Sequence, residues 1–459
     1  MTVTGEKIAT AGGSDETRFD PKEAWYPVHY VEDLDRHKPN KFTLLGIDLV
    51  IWWDNKKNSW TVFEDRCPHR LVPLSEGRIN ESGLLECPYH GWAFGSNGDC
   101  EFIPQQPEGG KAETSQRACA TVYQTAIAQG LLFVYPGNSE NAPKVTVPII
   151  EPMESDKDEW TYFSTFRDVP YDAFTLLENV IDPSHVPYTH HNTVGKRSNA
   201  APVQLQVTHS DKFGFEGVWE EGPRKGALGK QYTKFVAPCL MYHDLTSKQF
   251  GRTLTVVYAT PIRKGECRLF ARFPFKFNSP IPRFFIGLSP RWYTHISNNK
   301  ILEDDQILLH YQERYLESLG GSDNYSKAFY LPTKADLYVS ELRQWVNLYD
   351  VDTFKDERYS SPLNKEQLLD RYHSHTKHCA SCRGALKRVQ QFKVLAGAIA
   401  IIALAISPLL NLWLPPVWLT VTVPVVALIS ALARWQLSKL ERKFSEGIDI
   451  PARNLPGKQ

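Results

Sequence analysis

The sequence predicts an α+β protein that ends in a hairpin of two membrane-spanning helices. Short strand-like runs dominate the first third of the chain, strands mixed with one long helix follow, and residues 394–433 carry no charge. The 459 residues include 52 basic and 52 acidic side chains, and this balance argues against a nucleic-acid partner. Eight cysteines are too few for a disulfide scaffold and indicate metal or redox chemistry.

The N-terminal region is predicted to form an all-β domain at about residues 21–137, after a disordered leader at 1–20. Phe42–Trp53 and Trp60–Glu64 have strand-like composition and flank a polar loop, and Gly130–Tyr135 is a short apolar strand. The leader lacks the apolar core of a signal peptide and is too acidic for a transit peptide. We therefore expect a prokaryotic or mature chain whose body lies in the cytoplasm.

An α+β domain is expected at about residues 138–375. Phe174–Ile181 begins like a helix, and a long stretch at about 298–319 repeats apolar residues three and four apart, as helices do. Four strand-like runs lie between them: Val203–Thr208, Gly214–Trp219, Thr253–Tyr258 and Arg268–Phe273. A linker at 376–393 and a cytoplasmic tail at 434–459 complete the predicted organisation.

The uncharged stretch 394–433 would be about 60 Å long as one helix, twice the thickness of a bilayer's hydrocarbon core. Pro415 and Pro416 interrupt it, so two spans are predicted, at about 394–414 and 417–433. Lys and Arg residues flank both outer ends, and the positive-inside rule then places the N-terminal body on the cytoplasmic side of a membrane. The alternative is a buried helical hairpin in a soluble core.

Two short motifs, Cys67-Pro-His69 and Cys87-Pro-Tyr-His90, each supply one thiol and one imidazole. This alternation differs from the zinc-finger order and is typical of a Rieske [2Fe–2S] cluster, in which cysteines hold one iron and histidines hold the other. The motifs resemble the Rieske domain of Rieske non-haem iron oxygenases. The cysteines that form a disulfide in the Rieske proteins of cytochrome bc complexes are absent, which favours a lower-potential cluster reduced by a ferredoxin-like donor.

Two further histidines, His185 and His190, lie in a segment that Pro187 keeps from forming a regular helix, so both can face one metal. Two histidines and a carboxylate form the facial triad of mononuclear Fe(II) oxygenases, which leaves positions open for O2. His191 is a competing ligand. The long helical stretch offers three consecutive carboxylates as the third ligand: Glu303, Asp304 and Asp305.

The oxygenase resemblance selects among these candidates. Rieske oxygenases place their ligand Asp at the position of Asp305, so the resemblance implies that His185, His190 and Asp305 bind Fe(II). It also places Asn179 and Asp182 in the catalytic machinery. In the homotrimers typical of the family, an Asp at the position of Asp182 bridges a cluster histidine of one subunit to an iron-ligand histidine of the next. The alternative role for Asp182 is helix capping.

The segment Leu177–His191, the motif Trp25–Val28 and the C-terminal hairpin resemble the pheophorbide a oxygenase group, which includes chlorophyllide a oxygenase, over roughly residues 20–440. The resemblance implies a catalytic domain built as a curved antiparallel sheet closed by a long helix. It also implies an oxygenase that uses O2 and a ferredoxin or ferredoxin-type reductase to oxidise a hydrophobic tetrapyrrole. A sterol or aromatic-ring substrate is the alternative. The lack of a transit peptide favours a cyanobacterial relative in the thylakoid or plasma membrane.

Cys379 and Cys382 form a Cys-x-x-Cys motif just before the apolar stretch. The motif is a redox dithiol, half of a zinc site to which His373, His375 or His378 contribute, or a pair of exposed thiols without a function. The pheophorbide a oxygenase resemblance implies the redox role.

Two other functions are consistent with a Rieske domain. One is an electron-transfer subunit without catalytic iron, and the other is a redox-sensing component of a translocation complex whose oxygenase site is vestigial. The three candidate ligands of a mononuclear iron argue against both. No dinucleotide-binding or phosphate-binding glycine motif is visible, so the electrons are expected to come from a separate protein.

Overall fold

The computed structural model describes most of the chain. The described residues are 18–155, 159–248, 251–412 and 417–455. Most of the predicted leader therefore lies outside the described residues, as do Pro415 and Pro416. At the end of the predicted leader, Phe19 is buried and its backbone N–H donates to the carbonyl of Tyr349 at 3.1 Å.

The N-terminal domain is all β, as predicted. Its strands are β1 (Tyr26–Tyr30), β2 (Asn40–Leu44), β3 (Ile47–Asp54), β4 (Ser59–Glu64), β5 (Arg78–Ile79), β6 (Leu85–Glu86), β7 (Ala93–Phe94), β8 (Cys100–Phe102), β9 (Val122–Ala128) and β10 (Leu131–Tyr135). A six-stranded antiparallel sheet has the order β1-β10-β9-β4-β3-β2, and a four-stranded sheet has the order β5-β6-β7-β8. The first Cys-His motif precedes the small sheet, and the second lies in the loop between its strands β6 and β7.

The predicted strand Phe42–Trp53 is two strands joined by a tight turn. The chain reverses at Leu45 and Gly46, whose φ values are 50° and 76°. Positive φ at both central residues is the pattern of a type I′ hairpin turn. Leucine is an unusual residue at positive φ, so the apolar run through Leu45 gave no turn signal.

The second domain is built on a seven-stranded antiparallel sheet. Its strands are β11 (Thr161–Val169), β12 (Leu205–Asp211), β13 (Gly214–Trp219), β14 (Gln231–Val236), β15 (Leu240–Ser247), β16 (Gly251–Arg263) and β17 (Glu266–Lys276). The strand order is β11-β17-β16-β15-β14-β13-β12, so β11 is an edge strand. The sequence patterns did not identify β11, β14 or β15.

Helices pack on this sheet and extend beyond it. They are α1 (Ala173–Ile181), α2 (Val186–Thr189), α3 (Pro280–Leu288), α4 (Arg291–Ser318), α5 (Tyr325–Ala328), α6 (Leu337–Leu348), α7 (Lys365–Leu368), α8 (Ala380–Leu412) and α9 (Val417–Arg442). A π-helical turn, Tyr372–Thr376, precedes α8. The helix α4 is the long helix that the sequence predicted, and it lies against β11.

The two domains share one hydrophobic core. The ring of Tyr30 on β1 packs edge-on against Phe270 on β17, with centroids 5.5 Å apart. Nη1 of Arg268, also on β17, donates to the carbonyl of Val28 at 3.2 Å. These contacts across the domain boundary fix the orientation of the first domain relative to the second.

The helices α8 and α9 form the predicted hairpin. Both are long and apolar enough to cross a membrane by length and composition. Their apolar side chains are largely exposed, as Ile401 and Leu428 show. The predicted linker at 376–393 is mostly the first part of α8, because residues 380–393 contain no proline to separate them from the apolar stretch.

Residues 443–455, which follow α9, return to the second domain instead of forming a separate tail. Phe444 is buried, and its ring lies 5.8 Å from that of Trp292 on α4. The backbone N–H of Gly447 donates to the carbonyl of Leu369 at 2.9 Å. A Cβ at Gly447 would lie 2.9 Å from atoms of Glu303 and Leu369, so only glycine fits this approach. The predicted tail at 434–459 is therefore the end of α9 followed by a return segment, 443–455.

A buried ion cluster joins α4, β11 and the return segment. Glu303 accepts hydrogen bonds from Nε and Nη2 of Arg371 at 2.6 and 2.7 Å and from Nη1 of Arg167 at 2.9 Å. The backbone N–H of Ile448 donates to Glu303 at 3.1 Å. Burial alone raises the pKa of Glu303, but the two guanidinium groups outweigh this effect and hold the pKa below its usual value.

Replacing Glu303 with Gln should destabilise the protein by about 3–5 kcal/mol, because two buried guanidinium groups would lose their carboxylate. Denaturant unfolding followed by tryptophan fluorescence measures this change. Glu366→Gln, at an exposed carboxylate on α7, is the control and should change stability by less than about 0.5 kcal/mol. Equal stabilities for the two variants would show that the ion cluster does not stabilise the fold.

Candidate metal centres

Two loops of the first domain present the Cys-His motifs and have the same local structure. In the loop between β4 and β5, the N–H of Cys67 donates to the carbonyl of Val72 at 2.9 Å. In the loop between β6 and β7, the N–H of Cys87 donates to the carbonyl of Trp92 at 2.8 Å. Each loop reverses at a residue with positive φ: Leu71 and Gly91. The motifs therefore form a pair of matching turns.

The two thiols lie deeper than the two imidazoles. Cys67 and Cys87 are buried, whereas His69 and His90 are partly exposed and their ring centroids lie 4.8 Å apart. The ring of His69 stacks on Trp92 of the other loop, with centroids 4.5 Å apart and planes 6° from parallel. Trp92 in the second loop thus orients His69 in the first loop.

This donor set fits a Rieske cluster. Nδ1 of His90 is buried and has no hydrogen-bond partner among the described residues. A buried polar atom without a partner is rare in folded proteins, and a bond to iron accounts for it. The hydrogen bond between the two sulfurs lowers the pKa of Cys87 and raises that of Cys67, so the two thiols share one proton more readily than two, and a metal ion would replace it.

His185, His190 and Asp305 meet in the second domain. Nε2 of His190 lies 3.3 Å from Nε2 of His185 and 3.2 Å from Oδ2 of Asp305. Nε2 of His185 lies 4.0 Å from Oδ1 of Asp305. Asp305 comes from α4, and His185 and His190 flank the two ends of the short helix α2; together the three side chains could hold one metal ion.

In both histidines the ring nitrogen that points away from the site, Nδ1, has an oxygen partner that fixes the orientation of the ring. Nδ1 of His185 lies 2.6 Å from the carbonyl of Asp182, and Nδ1 of His190 lies 3.3 Å from Oδ2 of Asp304. Because these oxygens accept hydrogen bonds, each ring keeps a proton on Nδ1, and Nε2 of each ring is the atom that a metal ion would bind in exchange for any proton there.

The charges around His190 also favour a cation. Burial alone lowers the pKa of His190, but hydrogen bonds to Asp304 and Asp305 outweigh it and raise the pKa to about 9. The two carboxylates therefore create a negative site. Two imidazoles and one carboxylate on one side of such a site fit the facial triad of Fe(II) oxygenases.

The three consecutive carboxylates of α4 have three different partners. Glu303 pairs with two arginines, Asp304 contacts Nδ1 of His190, and Asp305 contacts its Nε2. The sequence did not assign a role to Asp304, although its position next to Asp305 indicated that it lies close to the same site.

Two more residues that the sequence did not indicate support Asp304. Thr193 Oγ1 donates to Oδ2 of Asp304 at 3.0 Å. Arg453 in the return segment donates from Nη1 to the backbone carbonyl of Asp304 at 2.6 Å. No local sequence pattern connects Arg453 to this site.

Asn179 and His191 occupy different positions relative to the site. Nδ2 of Asn179 donates to Oδ1 of Asp305 at 3.4 Å, so it contacts a candidate ligand. Nδ1 of His191 accepts a hydrogen bond from the backbone N–H of Arg197 at 3.2 Å. His191 is therefore engaged elsewhere and is not one of the three side chains that meet.

Asp182 supports the turn between α1 and α2. Its Oδ1 accepts from the N–H of Ser184 at 2.7 Å, and its Oδ2 lies 4.0 Å from Nδ1 of His185. The backbone carbonyl of Asp182, rather than the carboxylate, makes the short contact with His185. The intersubunit bridge predicted for Asp182 stays a prediction.

Cys379 and Cys382 are both buried, so the alternative of two exposed thiols is wrong. Of the three histidines considered as partners, only His375 lies with them. His373 contacts Asp370 at 2.5 Å, and His378 lies near Asp168. The redox role of the two cysteines stays a prediction.

Comparison with known proteins gives two family matches and several long relatives. Residues 24–125 match the Rieske [2Fe-2S] domain and residues 235–323 match pheophorbide a oxygenase. The chain is 36% identical to chloroplastic pheophorbide a oxygenase of Arabidopsis thaliana, over 94% of this chain and 85% of the relative. It is 38% identical to chloroplastic flavonoid 8-hydroxylase 2 of Ocimum basilicum, over 85% and 79% of the two chains.

Solved structures share the fold. Dicamba monooxygenase bound to dicamba has a TM-score of 0.56 at 19% identity, over 72% of this chain and 98% of that one. NdmA of Pseudomonas putida CBB5 with caffeine has a TM-score of 0.56 at 18% identity, over 71% and 90%. The solved structures show the fold, and the 36% identity to a full-length relative shows that the chain belongs to the pheophorbide a oxygenase family of Rieske non-haem iron oxygenases, enzymes with a Rieske [2Fe–2S] cluster and a mononuclear iron.

Proposed function

We propose that the protein oxygenates a hydrophobic tetrapyrrole of the chlorophyll type. The observation that carries this proposal is the 36% identity to pheophorbide a oxygenase over 94% of the chain. When bound, the cluster supplies stored electrons and the mononuclear iron supplies O2 activation. With two electrons and two protons from outside, one oxygen atom enters the substrate and the other leaves as water.

The chain's own residues orient the iron ligands and define the side from which substrate approaches. The carbonyl of Asp182 and the carboxylate of Asp304 hold the proton of each imidazole on Nδ1. The His185 side chain is 17% exposed, against 7% for His190, so the site opens on the side of His185. Tyr188, three residues after His185, is exposed and would offer an aromatic ring to a flat substrate.

A flavonoid is the second candidate substrate. The relative from Ocimum basilicum has a slightly higher identity, 38%, and its name specifies a flavonoid hydroxylase. An aromatic substrate is also the alternative that the sequence leaves open.

A single-turnover assay separates these candidates. The protein is reduced without oxygen and then given O2 with pheophorbide a, chlorophyllide a or a flavone, and the products are analysed by mass spectrometry. The gain of an oxygen atom on a tetrapyrrole supports the proposal. If only the flavone is oxygenated, the proposal is overturned in favour of the second candidate. If neither the pigments nor the flavone is oxidised by O2, both candidates are refuted.

Substitution of Asp305 by Ala should remove the mononuclear iron and leave the cluster, so iron content falls from about three to about two atoms per chain. Asp304→Ala should weaken binding of that iron by about 10- to 100-fold, because His190 loses the group that orients it. Metal analysis and the visible spectrum of the cluster measure both effects.

Two controls make this test specific. Cys87→Ser should abolish the cluster spectrum, and Asp323→Ala, at an exposed carboxylate beyond α4, should change neither signal. If Asp304→Ala loses all mononuclear iron and Asp305→Ala retains it, the assignment of the ligand is wrong.

We further propose that a separate ferredoxin-like protein supplies the electrons and that the protein works as a homotrimer. Leu71 and Tyr89 support a protein contact at the cluster, because these apolar side chains are 65% and 57% exposed beside the ligand loops. Asp182, whose side chain is 21% exposed, would then bridge cluster and iron histidines of two subunits.

Asp182→Asn should keep the iron content, the cluster spectrum and the trimer, but slow oxidation of the reduced cluster in a single turnover. His185 keeps its orientation in this variant because a backbone carbonyl holds it. Rapid mixing with O2 and substrate measures the rate. A wild-type rate would show that Asp182 only supports its turn with Ser184.

We also propose that the hairpin anchors the protein in a membrane with the catalytic body on the cytoplasmic side. The apolar faces of α8 and α9 are exposed, and α3 adds a second exposed apolar surface. That surface consists of Ile281, Phe284, Phe285 and Leu288. A membrane anchor suits a hydrophobic substrate.

Two deletions test the anchor. Replacing residues 398–431 with a short Gly-Ser linker should give a soluble protein with full iron content, because the ion pair between Lys393 and Glu441 at the hairpin's base remains. Truncation after residue 390 should lose mononuclear iron, because it removes the return segment and its contact with Asp304. Fractionation and metal analysis measure both results.

Each deletion has a contrary outcome. If the linker variant remains in the membrane fraction, another segment such as α3 anchors the protein. If the truncated protein retains its iron, the return segment does not support the site.

A further inference from the structure

Four side chains from three separate elements meet beneath the hairpin. They are His295 on α4, His375 in the π-helical turn, and Cys379 and Cys382 at the start of α8. At most 1% of each residue is exposed. Their ligand atoms lie within 4.8 Å of one another, although 80 residues of sequence separate the two histidines.

Four of the six distances between these ligand atoms lie close to the edges of a tetrahedron around one metal ion. Nδ1 of His295 lies 3.4 Å from both sulfurs, and Nε2 of His375 lies 3.3 Å from Sγ of Cys382. The two nitrogens lie 3.1 Å apart. Tetrahedral Zn²⁺ with ordinary bond lengths requires about 3.3 Å between two nitrogens and about 3.6 Å between nitrogen and sulfur.

The hydrogen bonds of the two rings turn their lone pairs toward the centre. Nδ1 of His375 lies 2.6 Å from the carbonyl of Phe166, and Nε2 of His295 lies 2.9 Å from the carbonyl of Ser164. Carbonyl oxygens only accept, so these nitrogens carry the protons. The other two nitrogens then face each other as acceptors, and a cation between them satisfies both lone pairs.

We propose that His295, His375, Cys379 and Cys382 bind a structural Zn²⁺ ion. Two neutral imidazoles and two thiolates are a preferred donor set for this ion, and two thiolates balance its charge. Four protein ligands leave no open position, which is typical of structural rather than catalytic zinc. Carbonyl partners on the outer ring nitrogens are the usual support for histidines that bind metal.

The proposed ion joins the hairpin to the helix that carries the iron ligand. His295 lies on α4 ten residues before Asp305, which corresponds to about 15 Å along the helix. The two cysteines lie at the start of α8, and the supporting carbonyls belong to β11. The zinc site would therefore tie α8, α4 and β11 together, and it makes the Cys-x-x-Cys motif a metal ligand rather than a redox dithiol.

Metal content of the full-length protein tests the proposal directly. The purified protein should contain about one zinc per chain in addition to its iron. Protein produced with cobalt in place of zinc should show thiolate-to-cobalt charge transfer and the intense visible bands of tetrahedral Co²⁺. Neither measurement requires a variant that folds.

Variants then identify the ligands. Cys382→Ser and His375→Ala should lose most of the zinc while the spectrum of the Rieske cluster persists, and increased proteolysis near the base of α8 should accompany the loss. Cys119→Ser, at a partly exposed cysteine of the first domain, should keep its zinc.

Three results would overturn the proposal. The first is a wild-type protein that contains no zinc and whose two thiols form a disulfide under mild oxidation. The second is iron in place of zinc at these four ligands. The third is full zinc content in Cys382→Ser. The first of these results would support the redox role instead.

Discussion

The contact of Glu303 with two buried arginines is the constraint on which the arrangement of the second domain depends. Arg167 comes from β11 and Arg371 from the turn before α8, so one carboxylate joins the sheet, the long helix and the base of the hairpin. Leaving any of these charges without its partner costs several kcal/mol, about 3–5 for a broken buried pair. The helix α4 therefore cannot rotate or slide without a large loss of stability.

A fixed rotation of α4 places the next two carboxylates. Successive residues of a helix point about 100° apart, so three adjacent acidic side chains face three directions. With Glu303 facing the arginines, Asp304 reaches Nδ1 of His190 and Asp305 reaches its Nε2. One imidazole thus lies between two carboxylates. The negative charge that would be unfavourable in a buried core becomes favourable once a divalent cation is bound.

Sequence reasoning identifies features whose residues are close together in the chain. The four candidate cluster ligands could be recognised because they lie in two short loops with a fixed spacing, and the long helix could be predicted from its periodicity. Asp305 required the family resemblance, because nothing local separates it from its acidic neighbours. The strand β11 was missed because Arg167 and Asp168 look unlike a buried strand until their partners are known. His295 carries no signal in a helix, since its partners lie about 80 residues later.

The hairpin is an insertion within the second domain rather than an appendage at its end. The chain leaves α4's surroundings through Cys379 and returns to them at Phe444, so both ends of the hairpin are attached to the same helix. The return segment then reaches the backbone carbonyl of Asp304 through Arg453. Any displacement of the hairpin relative to the domain must therefore break contacts with α4 at two places. The membrane anchor proposed for the hairpin would therefore act on the candidate iron ligands through α4 and the return segment.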